Sequence, residues 1–503
     1  MTDIFLARAV ATVADNAAGV PLCVDVDGTL VKSDTLHDSL LVIIQRNPEL
    51  LLRLPSWLLQ GKALFKEKIA SSVTLDVAHL PYNRSLLEFL QQQHAAGRPI
   101  YLATASDHML AEAIASHLGI FAGIMASDGT TNLSGANKLA IFRAKFPEGF
   151  CYIGNALPDA AILQSSVCPM VANPHRRLLA AMSRARVVPT HCFADRAPLL
   201  NRLKSAMRMH QWAKNVLIFL PLLLAHGRSI ISFAAAAVAF LSFSFCASAT
   251  YILNDLLDIE SDRRHPTKRF RPFAAGDISA PAGLGLIAAL AVLSVCVALL
   301  LPLMPAAPGG AHGSPGGFLL WLAFYAATTV IYSTWLKRLV LIDTVTLSGL
   351  YTLRILAGSS ATGYMVSPWL ASFSIFFFLS LAFVKRFSEL ENLRIRGAVK
   401  SSGRGYRVGD LEQLRIFGSS SAFTAVVVFT LYINNPTVSG LYRHPLRLWL
   451  LTPILILWLC RIWLKASRGE LQEDPVIYAL SDWHSLVLGI LSAAVLLFAA
   501  IAR

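Results

Sequence analysis

Asn254, Asp255, Asp258 and Asp262 fall inside one short segment, and Asn254, Asp258 and Asp262 recur every fourth residue. On a helix that spacing stacks three oxygen ligands on one face. The segment closes a long apolar run, and carboxylates at a membrane boundary are costly unless a cation sits beside them. Mg2+ on a diphosphate suits the set, because it takes one or two carboxylates and completes its shell with substrate oxygens and water. Just downstream, Lys268, Arg269 and Arg271 supply charge and forked donors for phosphate. A solvated helix end with a basic loop would explain these cations but not the carboxylate stripe. Arg354 lies within another apolar run, where ionisable residues are rarely idle. Lys214 has the bland alternative of snorkelling to the interface, and Tyr332 that of an interfacial aromatic belt.

Two kinds of architecture must position such groups. The chain has 503 residues, 55% of them hydrophobic and 15% charged, with a mean hydropathy of +0.55. That is too long for one ordinary domain and too apolar for a wholly water-exposed surface. In the first 200 residues, short apolar runs at 21–26, 100–105, 121–126, 151–154 and 169–171 each end in a polar loop. This is the pattern of a parallel sheet with crossover helices. The stretch 35–90 reads as helical, an inserted cap after the first strand. From residue 210 onward, nine apolar stretches approach bilayer length: 213–226, 231–253, 281–304, 317–333, 339–361, 368–384, 416–434, 447–463 and 484–502.

Charge tests that count. With the N-terminal domain inside, the loops after even-numbered spans carry Arg263, Arg264, Lys268, Arg269 and Arg271, then Lys337 and Arg338, then a run from Lys385 to Arg407, then Lys465 and Arg468. The outside stretches 305–316 and 359–367 carry no Lys or Arg, and Arg228, Arg443 and Arg447 are the exceptions. The positive-inside bias predicts nine spans and accounts for much of the net charge of +14 without nucleic acid. The seven cysteines form no C-x-x-C pair, and those of the N-terminal half are expected as free thiols in a reducing cytoplasm. The N-terminus reads as lacking a cleavable signal peptide.

The Asn254/Asp258/Asp262 stripe and the nine spans resemble the UbiA-type intramembrane prenyltransferase superfamily, over residues 200–503. More specifically they resemble its decaprenyl-phosphate phosphoribosyltransferase branch. The residues that carry this are Arg208, Gln211, Trp212, Lys214 and Asn215 before the first span, the run from Asp262 to Pro272, Tyr332-Ser333 with Lys337, Asp343, and Arg354 with Ala357-Gly358. Aromatic prenyltransferases carry a second D-x-x-x-D pair after the sixth span. The matching segment here opens Lys385-Arg386 and places its acids at Glu389 and Glu391, which favours a donor needing fewer metal-binding acids and more basic contacts. The resemblance implies phosphoribosyl diphosphate as donor and a polyprenyl phosphate as acceptor. It implies Mg2+ on Asn254, Asp255, Asp258 and Asp262, with Asp258 and Asp262 catalytic. Lys268, Arg269, Arg271, Lys337 and Arg354 would meet phosphates, Lys214 and Asn215 the acceptor phosphate, and Tyr332 and Asp343 the substrate.

Asp25-Val-Asp27-Gly28-Thr29, at the end of the first strand, resembles motif I of the haloacid-dehalogenase superfamily of phosphatases. Thr104-Ala105-Ser106, Lys138 and Asn155-Ala-Leu-Pro-Asp159 follow in that family's order. The resemblance implies that Asp25 attacks phosphorus and Asp27 protonates the leaving oxygen. Thr104, Ser106 and Lys138 would hold the phosphate, and Asp25, Asp27, Asn155 and Asp159 would hold Mg2+. Many members have Asp where Asn155 stands, so a weaker grip on the metal is expected.

The expected fold is therefore an N-terminal α/β domain, residues 1–200, haloacid-dehalogenase-like with a helical cap, fused to an all-α membrane domain, 201–503, of nine transmembrane helices. It would lie in a bacterial-type inner membrane with the N-terminal domain cytoplasmic. The expected activity is Mg2+-dependent transfer of phosphoribose to a polyprenyl phosphate, followed by dephosphorylation. The expected partners are the lipid, phosphoribosyl diphosphate and the bilayer, with no nucleic acid and with homo-oligomerisation open. Two other readings stand beside it. An aromatic prenyltransferase of quinone or haem type should show the second acidic pair. A transporter with a regulatory domain should show internal repeats and a midplane acidic cluster.

Overall fold

The computed structural model describes residues 19–128, 130–305, 313–395, 397, 404–471 and 474–500. The chain divides into two compact units. The first runs to Ala206 and also takes in Asp255–Gly285; the second comprises Met207–Asn254 and the chain from Leu286 onward. A single cut near residue 200 thus misses that the Asp-rich loop groups with the N-terminal domain.

The first unit is built on six parallel strands, β1 (Leu22–Val24), β2 (Ile100–Asp107), β3 (Gly123–Ser127), β4 (Cys151–Gly154), β5 (Cys168–Ala172) and β6 (His191–Phe193). Their order is β3-β2-β1-β4-β5-β6, with Leu22 registered on Ile100 to one side and on Cys151 to the other. The order reverses between β1 and β4, and the crevice beyond the strand ends at that point is where α/β sheets bind ligands. Leu22, Val24, Leu102 and Ile153 are fully buried, each contributing roughly 1.5–3 kcal/mol by burial. Between β1 and β2 lie helices α1 (Thr35–Arg46), α2 (Lys62–Ser72) and α3 (Arg84–Ala95). The first two occupy the stretch expected as a cap, and α3 leads into β2. Asp34 starts α1 by accepting the N–H groups of Leu36 and His37, and Asn83 caps α3. Helices α4 (His108–Leu118), α5 (Ala136–Lys145) and α6 (Arg176–Arg184) serve the later crossovers.

The second unit is helical. Its long elements are α7 (Ile230–Leu257), then, beyond the short α8 (Ile259–Arg264) of the loop, α9 (Ala280–Ala298), α10 (Pro315–Thr334), α11 (Ile342–Thr362), α12 (Pro368–Ile395), α13 (Leu411–Ile433), α14 (Leu451–Ser467), the short α15 (Pro475–Ser481) and α16 (Trp483–Ala500). Among the described residues, seven helices are long and apolar enough to cross a membrane: α7, α9, α10, α12, α13, α14 and α16. Two of the nine expected spans fall outside that set. The stretch 213–226 is a run of 3-10 turns, Met209–Phe219, followed by the short helix Leu220–Leu224 with a proline in its first turn. The stretch 339–361 is α11, which has the length but carries buried Asp343, Thr344, Ser348, Thr352 and Arg354. Those polar groups lower its mean hydropathy but are buried, while Ile342 and Val345 stand exposed. All seven cysteines are free thiols.

Candidate active sites

In the first unit, the end of β1 delivers Asp25 and Asp27 into the crevice beside β4. Lys138, on the first turn of α5, donates from Nζ to Asp25 Oδ1 at 2.9 Å and to the Tyr152 hydroxyl at 3.1 Å. Tyr152 donates in turn to Asp159 Oδ1 at 2.9 Å. Asp159 Oδ2 accepts the N–H groups of Asn155 and Ala156 at 3.1 and 3.0 Å. Asp27 accepts the Thr35 N–H at 2.7 Å and the Ser106 hydroxyl, while Thr104 Oγ1 accepts the Ser106 N–H at 3.0 Å. All seven residues expected here, Asp25, Asp27, Thr104, Ser106, Lys138, Asn155 and Asp159, therefore meet at one end of the sheet.

Three further residues were not legible in the sequence. Tyr152 looks like an ordinary strand aromatic. Thr35 acts through its backbone N–H on Asp27 and through its hydroxyl, 3.1 Å from the Ser106 hydroxyl. Lys66 reaches from α2 to the Ala105 carbonyl at 2.7 Å and to Asn132 Oδ1 at 3.2 Å, with no motif to announce it.

Gly28 has φ +73°, and a Cβ there would lie 2.0 Å from Asn155 Nδ2. Gly28→Ala is expected to cost about 1–3 kcal/mol and to displace the Asn155 side chain, read as a lower unfolding temperature.

Burial pushes Asp25 up to about 7; Lys138 pulls it back, and the negative charges of Asp159 and Asp27 add to the rise. Burial and the nearby Asp34 raise Asp27 as well. Among the described residues no three His, Cys, Asp or Glu side chains form a preassembled cage. Two buried carboxylates beside the Asn155 carboxamide still suit a hard divalent ion that takes the rest of its shell from substrate and water. A raised carboxyl stays protonated in the folded state after the unfolded chain has ionised. Its contribution to stability is therefore present in acid and is lost as pH rises through about 7. Mg2+ is expected to raise the unfolding temperature more above pH 7 than near pH 4, and an equal shift at both would contradict metal binding at Asp25.

The Asp-rich segment is less regular than one continuous stripe. Asn254 and Asp255 stand in the last turn of α7, Asp258 is the N-cap of α8, and Asp262 lies within α8. The helix breaks at Asp258 (φ −94°, ψ 10°), and the Asp262 N–H bonds the Asp258 carbonyl at 2.8 Å. The carboxylates seen to converge are Asp255 and Asp262, which accept from Arg271 Nη1 at 3.2 and 2.6 Å. One cationic nitrogen thus stands where both carboxylates point, and a hard cation fits the same donors. Burial raises the Asp262 carboxyl, Arg271 lowers it, and Asp255 adds to the rise. Lys268 and Arg269 lie on a 3-10 turn, with the Arg269 guanidinium 4.9 Å from the Phe270 ring.

In the second unit, Lys214, Asn215 and Arg354 join one buried network. Lys214 and Lys385 both donate to Asp474 Oδ2, at 2.7 and 3.0 Å, and Tyr351 donates to Asp474 Oδ1 at 3.4 Å. These two ammonium groups hold the Asp474 carboxyl far below the usual range despite its burial. Arg354 Nε donates to Asn215 Oδ1 at 2.8 Å, and Nη2 to the Tyr325 hydroxyl at 3.1 Å. Asn215 is fixed from its other side by Ser244, at 3.0 Å. Lys385 is the basic residue that opens the 385–391 segment, whereas Asp474 carries no motif, and the cue for it is its N-cap position before Pro475.

Tyr332 and Asp343 belong to a different cluster. Arg386 donates to Asp343 Oδ2, to Glu389 and to the Tyr332 hydroxyl, and Tyr406 donates to Asp343 Oδ1. Glu389 also pairs with Arg404, and Glu391 with Arg394. Lys337 sits on the 3-10 turn Leu336–Arg338.

Comparison with known proteins follows the same division. Residues 215–486 match the UbiA prenyltransferase family. The chain is 37% identical over 485 residues to the uncharacterized protein y4nM of Sinorhizobium fredii, covering 95% of this chain and 91% of that one. That similarity therefore spans both units. It is 34% identical over 287 residues to the nodulation protein NoeC of Azorhizobium caulinodans, covering 56% of this chain and 88% of the relative. It is 36% identical over 198 residues to the decaprenyl-phosphate phosphoribosyltransferase of Corynebacterium glutamicum, covering 38% of this chain and 55% of that enzyme. On the family match over more than half its length and the relative that matches nearly all of it, the chain belongs to the UbiA prenyltransferase family.

Proposed function

We propose that the helical domain transfers phosphoribose from phosphoribosyl diphosphate to a polyprenyl phosphate in the bilayer. The N-terminal domain, read as haloacid-dehalogenase-like, would then remove the 5-phosphate from the lipid product. The observation that carries the first step is the buried network in which Lys214 and Lys385 share Asp474 while Arg354 bonds neutral groups. Two ammonium groups on one carboxylate, with a buried guanidinium bonded only to neutral groups, suit anionic phosphate far better than an aromatic ring. The similarity to the Corynebacterium glutamicum phosphoribosyltransferase supports the same reading. Against the aromatic alternative, the 385–391 segment leads with Lys385-Arg386 and places its acids at Glu389 and Glu391, without the D-x-x-x-D spacing.

In the transfer, a phosphate oxygen of the lipid attacks the anomeric carbon, the bond to diphosphate breaks, and diphosphate leaves with the electron pair. Asn254, Asp255, Asp258 and Asp262 would hold the metal, and Lys268, Arg269, Arg271 and Lys337 would meet donor phosphates. Lys214 and Asn215 would hold the acceptor phosphate, with Arg354 fixing Asn215. In the second step Asp25 attacks phosphorus, and the ribose oxygen leaves with a proton from Asp27. Water then releases phosphate from Asp25, giving its proton to Asp27. Bound Mg2+ would neutralise the charge that develops on the phosphate groups in both reactions.

The same reading places the protein in a bacterial inner membrane with nine passes and its N-terminal domain cytoplasmic. Support comes from the grouping of Asp255–Gly285 with the N-terminal domain: a chain that leaves that unit at Ala206 and rejoins it at Asp255 crosses an even number of times. The long α7 supplies one crossing and the irregular 209–224 segment the other. A reporter that is active only outside the membrane should be active when inserted at 305–316 and silent after Gly276. Activity after Gly276 would contradict the pass count.

Donor choice is tested by offering purified protein phosphoribosyl diphosphate with polyprenyl phosphate, or a prenyl diphosphate with an aromatic acid. Lipid-soluble product from the first pair alone is expected; product from the second pair alone would replace this reading with the aromatic one.

A further inference from the structure

We propose that the turn joining β1 to α1 positions the Asp-rich loop, with Ser33 and Asp38 acting through Arg263 on the adjoining Asp262. The proposal rests on the reading of that loop as the holder of metal and diphosphate. Arg263 is buried, and all three of its guanidinium nitrogens are engaged. Nη1 donates to Asp38 Oδ2 at 2.8 Å, Nη2 to Ser33 Oγ at 3.0 Å and Nε to the Ala274 carbonyl at 3.1 Å. Ser33 Oγ also donates to Asp38 Oδ2 at 2.7 Å, closing the ring. The Arg263 and Asp38 side chains are 6% and 3% exposed. A planar fork held on three sides fixes the backbone one residue from Asp262, and removing either partner strands a buried charge.

The contacts flanking this pair act on the same loop. Glu260 accepts from Arg46 and from Arg264, each at 2.6 Å, and Arg264 Nε reaches Asp76 at 2.7 Å. Lys32 pairs with Asp277 at 2.8 Å, and Arg202 Nη1 donates to the Asp277 carbonyl at 2.7 Å. Gly276 has φ +72°, and a Cβ there would lie 2.8 Å from Lys32 Cβ and 3.1 Å from Ser33 N, so the two backbones pass with no room for a side chain. The exposed pairs add little individually; the Asp38–Arg263 pair is the anchor.

The other side of the same turn serves the sheet-end site. Thr35 N–H donates to Asp27 Oδ1 at 2.7 Å. Ser33, Thr35 and Asp38 therefore join Asp27 to Arg263 through a few residues of capped helix. Asp38 and Arg263 are positioning residues: neither need touch substrate, and their effect should appear in metal affinity rather than in the chemical step.

The test uses Mn2+ as probe, read by electron paramagnetic resonance on the full chain in detergent. An Asp25→Asn/Asp27→Asn background removes the carboxylates of the sheet-end site. Asp38→Asn and Arg263→Lys are each expected to weaken Mn2+ binding about tenfold, the usual loss when a group supporting a metal ligand is removed. The double variant should be no worse than the more severe single one, because both act through one contact. Arg46→Gln, on a half-exposed side chain, guards against failure of the buried variants to fold and should shift affinity the same way by less. In the wild-type background, Asp38→Asn should raise the Mg2+ needed for half-maximal transfer while leaving kcat at saturating Mg2+ nearly unchanged. Unaltered Mn2+ affinity in folded Asp38→Asn and Arg46→Gln proteins would overturn the proposal. Absence of transfer in the wild type would overturn only the functional reading, since the Mn2+ comparison decides positioning by itself.

Discussion

Asp262→Asn is expected to lower phosphoribose transfer by about 10²–10³-fold, the scale seen when one preorganised charge-stabilising group is lost. The protein should still insert in the membrane and bind lipid. Asp262 is buried and shares Arg271 Nη1 with Asp255, so an isosteric carboxamide keeps the shape and removes half of the converging charge. Burial already raises the Asp262 carboxyl, meaning that the anion here is held at a cost that a cation would offset. Glu391→Gln is the contrasting variant. Glu391 is equally buried and pairs one helical turn on with Arg394, whereas Asp262 converges with Asp255 on one nitrogen, so loss of the Glu391 charge should leave transfer within a few-fold of wild type. Initial rates across a Mg2+ titration check both. A similar loss in the two variants would mean that the 385–391 segment holds metal after all.

Asp25→Asn is expected to abolish phosphate release, by roughly 10⁴-fold or more, as removal of a nucleophile does, while transfer continues. The phosphorylated lipid should then accumulate. The expectation rests on geometry: Lys138 Nζ at 2.9 Å holds Asp25 in place, and Tyr152 ties Lys138 to Asp159. Asn cannot attack phosphorus, yet it can still accept from Lys138, so the fold should survive. Lipid analysis by mass spectrometry distinguishes the two products. If dephosphorylated lipid forms at the wild-type rate, the N-terminal domain is not the phosphatase.

Much of the sheet-end site was legible because strand ends fix it. Asp25 and Asp27 follow β1, Thr104 and Ser106 lie in β2, and Asn155 follows β4, so the spacing within each motif carries the geometry. β6 was missed because His191–Phe193 offers only three residues and no apolar run. In the helical domain, hydropathy reads length and apolarity but not inwardness. It therefore counted α11 as a span without showing that Asp343 and Arg354 serve two different clusters. It also could not reveal that Pro221 and 3-10 geometry break up 213–226. Long-range pairing was illegible for a simpler reason. Lys214 meets Asp474 across 260 residues, and Arg263 meets Asp38 across 225, distances at which local spacing says nothing. The same limit hid the membership of Asp255–Gly285 in the N-terminal unit.

The most direct test follows two labels through one incubation: phosphoribosyl diphosphate labelled in the ribose carbon and, separately, in the 5-phosphate, with polyprenyl phosphate, Mg2+ and detergent-purified protein. Both labels should enter the lipid phase together, after which the phosphate label should return to water while the ribose label stays. In Asp25→Asn both should remain in lipid, and in Asp262→Asn neither should enter. Neither label reaching lipid with wild-type protein, under conditions where a prenyl diphosphate and an aromatic acid do react, would contradict the account.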